Sequence, residues 1–422
     1  MTDVMFQIAD SYARMYSRWP PIAIIWSPET HRLVSITDPR ALIGWILSCI
    51  FTMGLSQGIK LLQAGYLIIR TVQMGHFPSS AEEPFASPMQ LLSIAVVTIG
   101  SGGGILISLF GYIFSRQICT LLNQLLIIEE HLTQCGKVTK LRMNGNTDKP
   151  TKTKKTSVKL SLRKTIFMPP MFVVYMAPAL VVFALIANLD PLYFLFYWFS
   201  YHGLSFPVRF GIRLVSFVTL VMSAISAGQV LLGCGYVFVM AAWTLLRCMR
   251  LIDEDYKVRT KLLFASPKEL SVFVILYNRV ILILAGVAAP QASVTLFMLV
   301  GCALVIIVLN IMSVNMHDQL PLNIYLMGPF FSVVLIIILN TVLKFVSYYE
   351  HISENMLRLW KNDPILVVWG VHKVHGRRVA AMRPIRVFMG IWTTNLLPVN
   401  AQFLCHYDAF IADSTVLLTL NN

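Results

Sequence analysis

Charged side chains are scarce in this sequence. They make up 13% of the 422 residues, whereas 56% of the residues are hydrophobic and the mean hydropathy is +0.69. Soluble globular domains carry about 25% charged residues. A soluble fold of this composition would leave a large apolar surface facing water. We therefore expect an integral membrane protein.

The motifs of common enzymes and metal sites are also missing. The sequence contains no G-x-x-x-x-G-K-[ST] phosphate loop, no H-E-x-x-H, no G-x-S-x-G and no C-x-x-C. His372 and His375 lie three residues apart beside Arg377 and Arg378, a pattern typical of a solvated basic turn. We predict no enzyme activity, no catalytic residue, no metal, no cofactor and no nucleic-acid partner.

Long apolar runs are what the sequence has in abundance. A helix that crosses a bilayer needs about 20 mostly apolar residues. The runs of sufficient length are residues 41–59, 89–115, 165–189, 214–246, 280–315, 319–343 and 396–420. The sequence therefore predicts an all-α, polytopic membrane protein with seven transmembrane helices. No internal repeat is visible.

The basic residues divide unevenly between the two sides of this predicted bundle. With the N-terminus inside, the segments 1–40, 116–164, 247–279 and 344–390 carry 30 Lys and Arg residues, and the outer loops carry 2. Membrane proteins concentrate Lys and Arg in cytoplasmic loops. We therefore place the N-terminus in the cytoplasm and the C-terminus outside, in a multi-pass protein of the plasma membrane.

The cytoplasmic segments are expected to differ in structure. Residues 118–132 have helical apolar spacing and continue the second span, whereas the rest of 116–164 is a basic, Thr-rich, disordered linker. This linker is a topology anchor or, alternatively, a contact for anionic lipid. Pro267 follows Ser266 in a capping-box pattern, so a helix is expected to begin there. Segments 247–279 and 344–390 are predicted to form a helical anchor.

Residues 391–422 contain the seventh predicted span and the most polar one. Ionisable residues within membrane spans mark functional sites by default, because burying a charge in lipid is expensive. At spacings of three and four, one helix face carries a polar-containing stripe. Its members are Gln402, Cys405, His406, Ala409, Asp413 and Val416. Such a face lines a pore if several copies surround an axis. Asp408 lies in the same span.

Aromatic residues crowd the predicted outer loop after the third span. They form either an interfacial belt or a cap over a ligand vestibule. The residues we assign to the ligand region are Tyr175, Phe183, Trp198 and Tyr201. Lys60 and Lys344, at the ends of their spans, are expected to extend to the outer and inner interfaces.

Three local motifs resemble those of the arthropod gustatory and odorant receptor superfamily. These are LYNRV from Leu276, MRPIRVFMG from Met382 and IADSTVLL from Ile411. The last span has the Gln402-Phe403 of gustatory receptors, but Asn395-Leu396 stands where Thr-Tyr is usual. The chain therefore resembles a divergent, gustatory-receptor-like member of the superfamily.

The resemblance implies a chemosensory receptor that is a ligand-gated, non-selective cation channel. It further implies a homo- or heterotetramer, a small-molecule ligand and a central pore lined by the seventh helix. Two alternatives stay open. One is a secondary transporter with Asp408 as its ion site, and the other is a non-conducting membrane receptor.

Overall fold

The computed structural model describes residues 2–76, 78–79, 82–143, 177–178, 181–182, 184–197, 203, 205–261, 267–315, 322–362, 372–391 and 394–420. Within these residues the fold is mostly helical. The helices are α1 (Thr2–Tyr16), α2 (Pro39–Ser48), α3 (Leu55–Met74), α4 (Pro88–Met143), α5 (Pro191–Tyr197), α6 (Phe206–Lys261), α7 (Pro267–Asn315), α8 (Leu322–Lys361), α9 (His372–Ala381) and α10 (Ala401–Leu420).

Five of the described helices are long and apolar enough to cross a membrane. They cover Met89–Gln134, Phe206–Lys257, Val272–Ile311, Gly328–Lys361 and Ala401–Leu420. These match the second, fourth, fifth, sixth and seventh predicted spans. The third predicted span, 165–189, lies largely outside the described residues.

The first predicted span is helical but much longer than 41–59. The Asp38 carboxylate accepts from the backbone N–H of Arg40 at 3.0 Å and caps α2. A π-helical turn, Cys49–Gly54, joins α2 to α3. The helix ends only at Gly75, which has a φ of +74° and donates its backbone N–H to the Thr71 carbonyl at 2.9 Å. The helical path therefore continues well past Lys60.

Two short antiparallel hairpins correct the all-α prediction. β1 (Ile24–Ser27) pairs with β2 (Arg32–Ser35), and β3 (Phe388–Ile391) pairs with β4 (Thr394–Pro398). Strands of four or five residues are too short to show a clear alternating pattern in sequence. Asn123 on α4 holds the first hairpin, because its side-chain amide exchanges two hydrogen bonds with the backbone of Leu33, at 3.0 and 2.8 Å.

The expected linker 116–164 also needs correction, because α4 continues through Met143. The predicted continuation of the second span is therefore confirmed and extended, and the remainder of the linker lies outside the described residues. The helix expected at Pro267 begins there.

The largest apolar core joins the ends of four long helices. α4, α6, α7 and α8 contribute buried side chains that pack around Trp360 and Tyr277. The Trp360 ring lies 5.4 Å from that of Tyr256 and 5.8 Å from that of Tyr277. This is the packing expected of the predicted anchor segments, whose cytoplasmic position stays a prediction.

Candidate pore helix and polar clusters of the bundle

Helix α10 begins five residues later than predicted. The segment Thr394–Pro398 is a strand, and Asn400 then caps the helix through a hydrogen bond of 2.8 Å from the Phe403 backbone N–H to its side-chain oxygen. Asn is a preferred N-cap residue because its side chain satisfies a backbone donor of the first turn. The helix of the seventh predicted span is therefore Ala401–Leu420 rather than 396–420.

One face of α10 packs against the rest of the chain. Tyr407 and Ile411 are buried, and the Tyr407 hydroxyl donates to the Leu299 carbonyl of α7 at 2.5 Å. The Phe403 and Tyr407 rings lie next to each other along this face, tilted by 32° with centroids 5.8 Å apart. The tyrosine therefore fixes which side of α10 faces α7.

The predicted polar-containing stripe lies on the opposite face. Successive helical residues are about 100° apart, so Ala409 lies about 160° from both Tyr407 and Ile411. All six stripe residues are exposed in the single chain, and Val416 is 56% exposed. The stripe members are Gln402, Cys405, His406, Ala409, Asp413 and Val416. The chain thus leaves this face available to water, lipid or other subunits.

A polar relay connects α10 to two other long helices. The Ser332 hydroxyl of α8 donates to the Asn310 side-chain oxygen of α7 at 2.5 Å, and the Asn310 amide donates to the Thr415 hydroxyl at 3.4 Å. Polar side chains form such contacts between membrane helices because lipid offers no alternative partner. The sequence analysis missed this relay, since its three residues are far apart in the chain.

The segment before α10 is hydrogen-bonded to the apolar core around Tyr277 and Trp360, which we call the anchor core. The Tyr277 hydroxyl donates to the Arg383 carbonyl at 2.9 Å, and the Ile385 backbone N–H donates to the Ser353 hydroxyl at 2.9 Å. The Arg386 guanidinium pairs with Glu350 at 2.6 Å. Residues from two of the motifs that carried the family resemblance therefore meet here, and they connect the anchor core to α10.

A buried lysine contradicts the expectation for Lys60. Its side chain is 0% exposed, and its ammonium donates to the Gln63 side-chain oxygen at 2.9 Å and to the Ser93 hydroxyl at 2.6 Å. Gln63 in turn donates to Gln90 at 2.9 Å, and Gln90 donates to the Asn188 carbonyl at 2.6 Å. Lys60 points into the bundle because these oxygen atoms provide its partners there. Lys344, by contrast, is exposed, and its place at the inner interface stays a prediction.

A second buried cluster surrounds Asp190, which is 1% exposed. The Arg213 guanidinium donates to its carboxylate at 2.5 Å and also to the Asn188 side chain. The Ser216 hydroxyl donates to the same carboxylate at 2.6 Å, and the Tyr193 backbone N–H does so at 3.1 Å. Charge pairing and hydrogen bonds together stabilise this buried anion. Arg213 is one of the two basic residues that the sequence analysis counts in the outer loops.

The four residues assigned to the ligand region lie outside the described residues: Tyr175, Phe183, Trp198 and Tyr201. The neighbouring aromatic residues pack against one another. Phe85 contacts Phe194 edge-on at 4.9 Å and Tyr197 at 5.0 Å between ring centroids. Together with α3 they form a separate apolar cluster. No group of three or more potential metal ligands occurs among the described residues.

The fold of the chain is similar to that of a helical membrane receptor. The olfactory receptor OR5 of the insect Machilis hrabei, solved in complex with eugenol, aligns with a TM-score of 0.53 over 100% of this chain and 99% of that chain, at 14% identity. A second structure of the same receptor aligns with a TM-score of 0.57 over 99% and 97% of the two chains, at 13% identity. No family model and no curated protein sequence matches the chain.

This similarity extends over the whole chain and shows a shared fold despite very different sequences. The resemblance to the arthropod gustatory and odorant receptor superfamily is thereby confirmed at the level of the fold.

Proposed function

We propose that this chain is a subunit of a chemosensory receptor that acts as a ligand-gated, non-selective cation channel. A small-molecule tastant or odorant gates it, and four identical or related subunits surround a central pore in the plasma membrane. Seven helices cross the membrane, with the N-terminus inside and the C-terminus outside. The fold shared with an insect olfactory receptor supports this proposal.

The observation that carries the proposal is the exposed face of α10. A lone helix in lipid would favour apolar residues on the side turned away from its own bundle. Here that side carries Gln402, His406 and Asp413, while the opposite side is held by Tyr407. Polar groups at membrane depth need water or protein, and a pore between subunits provides water. The Asp413 carboxylates would then favour cations over anions.

Gating would follow from the connections of α10 to the bundle. A ligand shifts a channel toward the open state only through a higher affinity for that state. The relay from Ser332 through Asn310 to Thr415 provides a path by which a rearrangement of α8 reaches α10. The anchor core around Tyr277 would remain fixed during this motion.

The test is whole-cell current from cells that express the chain, alone and with a candidate co-subunit, during application of a tastant and odorant panel. Asp413→Asn is expected to alter ion selectivity, and Gln402→Ala to alter conductance. Asp408→Asn is the matched control, because it removes the same charge about 140° around the helix from Asp413. Its selectivity should remain that of the unmodified channel.

Two results would contradict the proposal. The first is that no current is evoked in either combination, although surface expression is confirmed and the chain purifies as a monomer. The second is ligand uptake that is lost in Asp408→Asn but unchanged in Asp413→Asn, because that pattern indicates a transporter whose ion site is Asp408.

A further inference from the structure

A groove of about 440 Å³ lies between α6 and α8, away from the pore helix. Its walls are largely apolar and include Phe238 and Ala242 of α6 and Val342 and Phe345 of α8. The Trp243 ring stacks on Phe345, with an interplanar angle of 8° and centroids 6.4 Å apart. This volume falls within the range of about 300–1,000 Å³ typical of small-molecule sites.

One cation lines the groove and a second lies beside it. Lys344 is part of its lining, and the Arg250 guanidinium lies 5.8 Å from the centroid of the Tyr348 ring, which is also part of the lining. Lys344 and Arg250 are both exposed. Among the described residues neither forms an ion pair, whereas the neighbouring Arg247 pairs with Glu129 at 3.0 Å and Arg386 pairs with Glu350 at 2.6 Å.

The position of the groove along the two helices suits one kind of ligand. It lies at the C-terminal ends of the predicted spans 214–246 and 319–343, which the distribution of basic residues places at the cytoplasmic side. The cytoplasmic leaflet contains anionic phospholipids. An apolar groove with two cations at and beside its lining, neither in an ion pair among the described residues, matches an acyl chain continued by a negatively charged headgroup.

We propose that this groove binds an anionic phospholipid of the inner leaflet. The acyl chain lies against Phe238, Ala242 and Phe345, and the headgroup phosphate contacts Lys344 and Arg250. Two basic residues at a membrane surface favour an anionic headgroup over a zwitterionic one. The proposal needs the chain to lie in a membrane but does not depend on channel activity.

The test is the thermal stability of the purified protein in a neutral detergent, with added dioleoyl phosphatidylglycerol or dioleoyl phosphatidylcholine. Phosphatidylglycerol is expected to raise the Tm in a saturable manner, and phosphatidylcholine is expected to have a much smaller effect. In the double variant Lys344→Gln/Arg250→Gln, the phosphatidylglycerol concentration that gives half of the maximal increase in Tm should rise by roughly 10- to 30-fold.

Two further variants separate headgroup binding from general charge and from misfolding. Arg358→Gln/Lys361→Gln removes two exposed cations from the last turn of α8, outside the groove lining, and should respond to phosphatidylglycerol like the unmodified protein. Ala242→Phe fills the groove while keeping both cations and should also weaken the response. All variants should have a Tm close to that of the unmodified protein without lipid, except Ala242→Phe, whose lipid-free Tm serves as its own baseline.

Equal stabilisation by the two lipids would overturn the proposal, as would an unchanged response of Lys344→Gln/Arg250→Gln. Cross-linking that places a second copy of the chain in the groove would also overturn it, since the groove would then be a subunit interface.

Discussion

The Tyr407 hydroxyl and the Leu299 carbonyl oxygen are 2.5 Å apart, so a hydrogen bond joins the middle of α10 to α7. A carbonyl within a helix normally accepts from its backbone partner only, so the tyrosine hydroxyl is a second donor that reaches it from another helix. The bond sets the rotation of α10 and therefore which residues lie on its exposed face.

Tyr407→Phe is expected to loosen this rotational setting while keeping the ring in place. A typical intramolecular hydrogen bond contributes about 0.5–1.5 kcal/mol, so the variant should unfold at a modestly lower temperature. If α10 lines the pore, channels formed by the Tyr407→Phe variant should also show a heterogeneous single-channel conductance. Tyr112→Phe, at an exposed position on α4, is the control and should change neither property.

The Asn310–Thr415 contact should be measurable as a coupling between α7 and α10. In a double-mutant cycle with Asn310→Ala and Thr415→Val, we expect a coupling energy of about 0.6 kcal/mol in the free energy of unfolding, the average found for such bonds in membranes. The ligand concentration for half-maximal current should shift in both single variants. Pairing Asn310→Ala with Thr419→Val, which the relay does not include, should give additive effects.

Much of the fold was predictable because the dominant signals are local. The five described spans follow from runs of apolar residues, and the stripe on α10 follows from residues three and four apart. These signals need no knowledge of distant contacts. The start at Pro267 was equally visible, since the capping-box pattern and the proline lie within four residues.

The rest depended on contacts between distant parts of the chain. Lys60 resembles an interfacial lysine until Ser93, 33 residues away, is seen to accept from its ammonium. The beginning of α10 was misplaced because Leu396 is apolar enough for a span but belongs to a strand paired with β3. The Ser332–Asn310–Thr415 relay joins residues up to 105 positions apart, and no local pattern marks it.

The Asp190–Arg213 pair is expected to be essential for the stability of its end of the bundle. Removing one partner of a buried ion pair leaves an uncompensated charge and typically costs about 3–5 kcal/mol. Arg213→Met should therefore lower the yield of folded protein and the Tm in detergent. Asp190→Leu/Arg213→Met removes both charges and should recover much of this loss.

The matched control is the Arg32–Glu130 pair, whose distance is 2.8 Å but whose glutamate is 55% exposed. Exposed pairs contribute about 0–1 kcal/mol, so Arg32→Met should be close to neutral. Equal losses in Arg213→Met and Arg32→Met would contradict the difference in burial on which this prediction depends.

Lys60 and Gln63 should respond in opposite ways to apolar replacement. Lys60→Met keeps the length of the side chain and removes a buried charge, so the free energy of unfolding should stay the same or increase. Gln63→Leu leaves the Lys60 ammonium without one of its two described partners and should cost about 1–3 kcal/mol. Thermal unfolding of both variants in the same detergent provides the measurement. A large loss in Lys60→Met alone would instead indicate that the charge itself is required.

Gly390 is expected to tolerate no side chain. A Cβ atom at this position would lie 1.9 Å from the Thr394 carbonyl oxygen and 2.9 Å from its carbonyl carbon, so the β3–β4 hairpin could not close with its present register. Gly390→Ala should therefore displace the backbone that connects the anchor core to α10. We expect reduced surface expression and, in the protein that reaches the surface, a loss of ligand-evoked current that exceeds the loss of protein.

Gly100→Ala is the control, because a Cβ there meets no atom within 4 Å and alanine favours the helix by up to about 1 kcal/mol. Normal current and expression in Gly390→Ala would mean that the hairpin does not hold α10 in its functional position.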